Sequence, residues 1–199
     1  DGSPLPLKKF EGRAMMVVNV ASKCGFTPQY DGLQKIYAQY HDRGFTLIGV
    51  PSNQFLWQEP AKELEIAAFC RVTYSVSFPM TEKTHVKGSH AHPFYRWMRE
   101  KLGRAAHPAW NFHKLLVGKQ GQPLRFSFNT ETRWDRPIIE GYITDYAGGS
   151  RGYFCNGKIL GQGGWCQPGS PSNPDTGNNW GPHKDSIPQM VFDSVGEVR

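Results

Sequence analysis

Residues 14–21 (AMMVVNVA) form a near-continuous apolar run rich in valine. That is the pattern of a strand buried on both faces of a parallel sheet. Ser22-Lys23-Cys24-Gly25 ends the run as a turn. Over residues 29–41, Leu33, Ile36, Tyr37 and Tyr40 recur at helical spacing, and Gly44 breaks the helix. Residues 45–50 (FTLIGV) repeat the buried-strand pattern and are closed by Pro51-Ser52-Asn53. Strand, helix and strand at these lengths predict one βαβ unit.

Downstream, a helix is predicted over residues 60–71 (PAKELEIAAFCR), with Pro60 suited to its first turn. A short strand is expected at 76–78, before Pro79. A helix follows at 92–102, with Pro93 near its start and Gly103 as its stop. Residues 112–117 (FHKLLV) read as a third strand, Gly118-Lys119-Gln120-Gly121 as a hairpin turn, and 123–128 as a fourth strand. A weaker helix is expected at 136–146. Strands alternating with helices predict an α/β architecture, a central mixed sheet flanked by helices. The character then changes: residues 147–199 hold eleven glycines and five prolines in 53 positions, the composition of an irregular extension. The expected division is therefore a folded domain over 1–146 and a Gly/Pro-rich C-terminal extension over 147–199.

Composition narrows the function classes. With 38% hydrophobic and 20% charged residues in 199, the chain can bury a core and does not resemble a disordered protein. Its apolar runs are too short to span a bilayer, so no stable membrane insertion is expected. No secretory leader pattern is present, although a chain opening at Asp1 leaves a trimmed leader open. The net charge of +6 arises wholly within residues 1–146, and its basic residues are scattered, with no run longer than Lys8-Lys9. This fits a soluble basic enzyme better than a nucleic-acid binder. Four cysteines (24, 70, 155, 166) give no CxxC pair, zinc spacing or disulfide scaffold. A cytoplasmic protein with a few reactive or buried thiols is expected. His90-Ala91-His92 reads as a helix-start loop, and ten residues between Cys155 and Cys166 without a histidine cluster argue against a metal site. No metal or cofactor is expected. Trp165 and Trp180 are candidate anchors of the extension onto the domain.

The candidate chemistry lies at Cys24. It follows a buried strand and precedes a helix, where helix N-terminal amides and the dipole favour thiolate over thiol. The end of a strand in an open α/β sheet is also where such folds bind ligands. Cys24-Gly25-Phe26-Thr27 looks like a CxxC site whose second cysteine is Thr27, and a single thiol suits attack on a substrate better than dithiol exchange. From position alone, a small buried hydrophobe is an equal reading.

Three blocks break the tie. Asn19-Val20-Ala21-Ser22-Lys23-Cys24-Gly25-Phe26-Thr27 resembles the active-site signature of the glutathione peroxidase family. Pro51-Ser52-Asn53-Gln54-Phe55-Leu56-Trp57-Gln58-Glu59-Pro60 is similar to its Asn-Gln-Phe…Gln-Glu-Pro loop, and Trp110-Asn111-Phe112-His113-Lys114 to its Trp-Asn-Phe-x-Lys segment. The resemblance covers residues 1–146 and implies a thioredoxin-like fold. It makes Cys24 the peroxidatic residue, surrounded by Gln58, Trp110 and Asn111. Two amides and an indole N–H can donate hydrogen bonds to a thiolate and to a departing oxygen. The implied reaction reduces hydrogen peroxide and organic hydroperoxides through a Cys24 sulfenic acid.

The resemblance to two-cysteine members also makes Cys70 the resolving thiol and thioredoxin the reductant. Reach requires Cα atoms within about 7 Å, so the Cys70 helix is expected to unwind locally. Glutathione acting directly on Cys24, or a slow redox sensor or relay, are the alternatives. A short stretch between Gly88 and Trp110 resembles the monomeric members. Leu56-Trp57 departs from the family, which places small or polar residues before the loop glutamine. Ser52 stands where many relatives have cysteine, and residues 147–199 have no counterpart.

Overall fold

A computed structural model of the chain describes residues 3–127 and 197–198. The expected helix at 136–146, the cysteines at 155 and 166 and the tryptophans at 165 and 180 lie outside the described residues. In chain order the elements are β1 (Leu5–Pro6), β2 (Ala14–Val20), α1 (Gln29–Tyr40), β3 (Phe45–Pro51), α2 (Glu63–Tyr74), α3 (Pro93–Leu102), β4 (Lys114–Val117), β5 (Pro123–Ser127) and β6 (Glu197–Val198). The main sheet has the order β3-β2-β4-β5. β2 and β3 are parallel, with Ala14 opposite Phe45 and Val20 opposite Pro51. β4 is antiparallel to both β2 and β5, so the sheet is mixed as expected. β1 and β6 form a separate two-stranded antiparallel pair.

Both faces of β2 are covered, which is why its sequence is continuously apolar rather than alternating. Met16, Val18 and Val20 join Leu116 in a core with Tyr30 and Leu33 of α1 and Ile66 and Cys70 of α2. The intervening Met15 and Val17 join Leu115 and Val117 in a second core with Phe94, Tyr95 and Met98 of α3. Gly44, at φ 86°, ends the single 3-10 turn after α1 and turns the chain into β3. Gly49 allows a close approach. It bridges to Met80, donating to Pro79 and accepting from Thr81, and a Cβ there would lie 2.3 Å from Met80 Sδ.

Three expectations need correction. The second helix spans Glu63–Tyr74 and not 60–71, so Pro60 lies outside its first turn. The Glu65 carboxylate accepts from the Lys62 N–H (2.9 Å) and sets the start, while Tyr74 reaches the Tyr30 ring (5.3 Å) and extends the end. Residues 76–78 are not a strand. Val76 donates to the Cys70 carbonyl and Ser77 to the Gln34 side chain, so neither amide serves the sheet. The third strand begins at Lys114, not at 112, because Phe112 adopts φ 61° and ends a turn. The hairpin falls where expected, closed by Gly118 N–H to the Gln122 carbonyl at 2.8 Å. Among the described residues, no helix is long and apolar enough to cross a membrane.

Candidate active site

The loop from Ala21 to Pro28 carries Cys24 off the end of β2, the central parallel strand. Thr27 shapes it: its hydroxyl accepts from the Cys24 N–H (3.0 Å) and donates to the Ala21 carbonyl (2.9 Å). Thr27 N–H also donates to the Cys24 carbonyl at 3.0 Å. Thr27 therefore does the work of a turn former at the place where a CxxC site has its second thiol. The Cys24 side chain is half-buried, and the Phe26 N–H points at its sulfur at 3.4 Å. Here the structure corrects the sequence reading. α1 begins only at Gln29, so the amide reaching the sulfur belongs to the loop and not to the helix N-terminus.

A second loop closes on the first. The Lys23 N–H donates to the Gln58 carbonyl at 3.0 Å, joining the residue before Cys24 to the Gln-Glu-Pro segment. Ser22 Oγ donates to Glu59 Oε2 (3.0 Å), and the Glu59 N–H donates to Asn53 Oδ1 (2.9 Å). Glu59 is fully buried, and burial raises its carboxyl above the usual range, opposed by the hydrogen bond from Ser22.

The third segment is pinned from below. Asn19, buried in β2, donates from Nδ2 to the Trp110 carbonyl (2.9 Å) and accepts at its own carbonyl from Phe112 N–H (2.6 Å). This fixes the turn that presents Asn111, which is fully buried and donates from Nδ2 to Gln58 Oε1 at 2.7 Å. Accepting that bond orients the Gln58 amide and leaves its Nε2 hydrogens for another acceptor. Trp110 is half-buried and packs on Phe55 with ring centroids 5.8 Å apart.

Of the five candidate residues, Gln58 and Asn111 meet directly. Cys24 is joined to them through Lys23, and Trp110 through Asn19 and Phe55. Cys70 is 1% exposed on the inner face of α2, in the core against which the half-buried Cys24 packs, and both thiols are free. Burial pushes the Cys70 thiol up, the Tyr30 hydroxyl beside it pulls it down, and Glu59 raises it further. Asn19, Thr27, Asn53 and Glu59 were not singled out as site residues. The visible signal for Asn19 was a lone amide inside an otherwise apolar strand.

Comparison with known proteins gives this geometry its context. The family model described as glutathione peroxidase matches residues 1–99. The hydroperoxy fatty acid reductase gpx1 of Synechocystis is 47% identical over 133 residues, covering 63% of this chain and 79% of that one. The chain belongs to the glutathione peroxidase family. A more distant member, the thioredoxin/glutathione peroxidase BtuE of Escherichia coli, is 37% identical over 161 residues, covering 70% and 87% of the two chains. The crystal structure of T. cruzi GPX1 superposes with a TM-score of 0.54 at 30% identity, covering 72% of this chain and 90% of that one. A thioredoxin-like superfamily protein, SPOA0173, matches with a TM-score of 0.50 at 16% identity, which shows the thioredoxin-like fold alone. Membership makes the chain a peroxidase-type oxidoreductase, and among the described residues no cluster of histidine, cysteine or carboxylate could hold a metal ion.

Proposed function

We propose that the chain is a thioredoxin-dependent thiol peroxidase working through Cys24. The Cys24 thiolate attacks one oxygen of ROOH, the O–O bond breaks, and the other oxygen leaves with a proton as alcohol or water. The sulfur is oxidised to a sulfenic acid and the peroxide is reduced. The Cys70 thiol then attacks that sulfur, forming the disulfide and releasing water. A thioredoxin dithiol reduces the disulfide and is itself oxidised. Gln58 and Trp110 are assigned as donors to the thiolate and the leaving oxygen, and Asn111 as the group that orients Gln58.

The observation that carries this reading is the joining of three segments at Gln58, whose carbonyl accepts from the Lys23 N–H beside Cys24 and whose Oε1 accepts from Asn111 Nδ2. Support for thioredoxin comes from a second thiol on the same chain and from the name of the BtuE relative. Because Cys70 is buried, resolution requires the end of α2 to open. We assign residues 1–146 as the catalytic domain and 147–199 as an appendage to it. A monomer in a reducing, cytoplasm-like compartment completes the reading, on the short 88–110 segment and the sparse cysteines.

The test is peroxide-dependent NADPH consumption with thioredoxin and its reductase, comparing wild type, Cys24→Ser and Cys70→Ser. Turnover by wild type alone, with a trappable sulfenic acid persisting in Cys70→Ser, is the expected result. Full activity of Cys70→Ser would make Cys70 structural and require the reductant, glutathione included, to reach Cys24 directly.

A further inference from the structure

The segment between Phe55 and Gln58 places two large apolar side chains in water beside the reactive loop. Leu56 is 66% exposed and Trp57 77% exposed. Both adopt left-handed backbone conformations, at φ 49° and 51°, which non-glycine residues occupy only when their surroundings impose it. The surroundings do impose it. Gln58 N–H closes the turn onto the Phe55 carbonyl at 3.2 Å. Phe55 is 2% exposed, held between Trp110 and the Lys87 ammonium, which lies 4.1 Å from its ring centroid. Gln54 clamps the start of the loop, accepting from the N–H groups of Val86 (2.7 Å) and Lys87 (3.0 Å) and donating to the Lys87 carbonyl (3.0 Å). With Phe55 and Gln58 fixed inward, the two residues between them are forced outward.

We propose that Leu56 and Trp57 form an apolar arm that holds the organic group of a bulky hydroperoxide while its O–O bond meets Cys24, so that the chain favours such substrates over hydrogen peroxide. The inference rests on the peroxidase reading of Cys24. Trp57 is one residue from Gln58, whose carbonyl is bonded to the residue preceding Cys24, so the arm borders the path to the thiol. Neither side chain carries charge or a buried polar partner, so what it recognises is apolar area. Hydrogen peroxide has no organic group to contact the arm, whereas an aryl or alkyl hydroperoxide does. An indole, with only two side-chain torsions to fix, offers that contact with little ordering cost on binding.

The experiment compares kcat/KM for cumene hydroperoxide and for hydrogen peroxide with thioredoxin as reductant. The variants are Trp57→Gly, Leu56→Gly, the double variant and Trp57→Phe. Glycine accepts the positive φ at both positions, so the glycine variants keep the turn without strain. The ratio of the two kcat/KM values is expected to fall about tenfold in Trp57→Gly, the discrimination one apolar contact provides. It should fall further in the double variant and be retained in Trp57→Phe. An unchanged ratio, or an equal loss with both peroxides, would overturn the arm, the latter by showing that the turn only supports Gln58. A wild type that reduces neither peroxide would instead remove the peroxidase reading on which the arm depends.

Discussion

Lys114 is fully buried on the face of β4 that packs against α1 and α2, and its ammonium donates to Gln29 Oε1 at 2.5 Å. Burial lowers its pKa from 10.5 to about 7. That drop corresponds to a cost of about 5 kcal/mol for keeping the charge inside the fold. The sign of the linkage follows. From about pH 7 to 10.5 the folded chain binds fewer protons here than the unfolded chain, so this group makes stability rise with pH, by up to about 1.4 kcal/mol per pH unit. Below that window the penalty is present in full. Lys114→Met removes it and leaves only Gln29, which is half-buried and within reach of water. The variant is therefore expected to be more stable than wild type near neutrality. Its advantage should shrink steadily as the pH rises towards 10. Urea denaturation followed by tryptophan fluorescence, run on both proteins across that range, reads the difference directly and cancels groups common to both. An advantage that stays flat within about 0.5 kcal/mol from pH 7 to 9.5 would refute the reasoning, because the lysine would then not be carrying the linkage.

Two further outcomes test how the site is held. Asn111→Leu keeps volume but leaves Gln58 unoriented, so kcat/KM for peroxide should fall by about 10² with a stability loss of only about 1–2 kcal/mol, read by steady-state kinetics beside thermal unfolding. Thr27→Val is nearly isosteric but leaves the Cys24 N–H and the Ala21 carbonyl without the hydroxyl that joins them, so the melting temperature should fall by several degrees, corresponding to about 1–3 kcal/mol.

The β2-α1-β3 unit was legible because a doubly covered strand is apolar at nearly every position, Asn19 being the exception in β2, so burial is written directly into residues 14–20. The start of α2 was less legible. Pro60 signals a helix start, yet Glu65 caps the Lys62 N–H and the helix begins at Glu63, and a side-chain hydrogen bond is invisible to periodicity. Residues 76–78 carry a strand-like composition, but the Val76 amide closes the end of α2 and the Ser77 amide is drawn to Gln34, a contact distant in sequence. The candidate cysteine and the two amides proposed to act with it, Gln58 and Asn111, could be named from three short blocks. What the blocks did not reveal is the supporting layer of Asn19, Asn53 and Glu59. Each acts through a side-chain hydrogen bond that no pattern announces: Asn19 to the Trp110 carbonyl, Glu59 to the Ser22 hydroxyl, and Asn53 to the Glu59 N–H.

The placement of Cys70 bears on the order of events in the proposed cycle. Its thiol is raised by burial and by Glu59, so in the closed fold it stays protonated and is a poor nucleophile. Its side chain is also enclosed in the core against which Cys24 packs, so it is not free to swing while α2 is intact. A single opening of the C-terminal turn of α2 relieves both obstacles, because exposure to water lowers the thiol pKa and frees the side chain to move. That turn ends at Ser75 in a left-handed conformation (φ 53°), where its backbone is already strained and the Ser75 and Val76 amides close on the Cys70 and Arg71 carbonyls. In the proposed cycle, resolution is thereby coupled to local unfolding: the closed fold shields Cys70, and a sulfenic acid at Cys24 would wait for α2 to open before a disulfide could form.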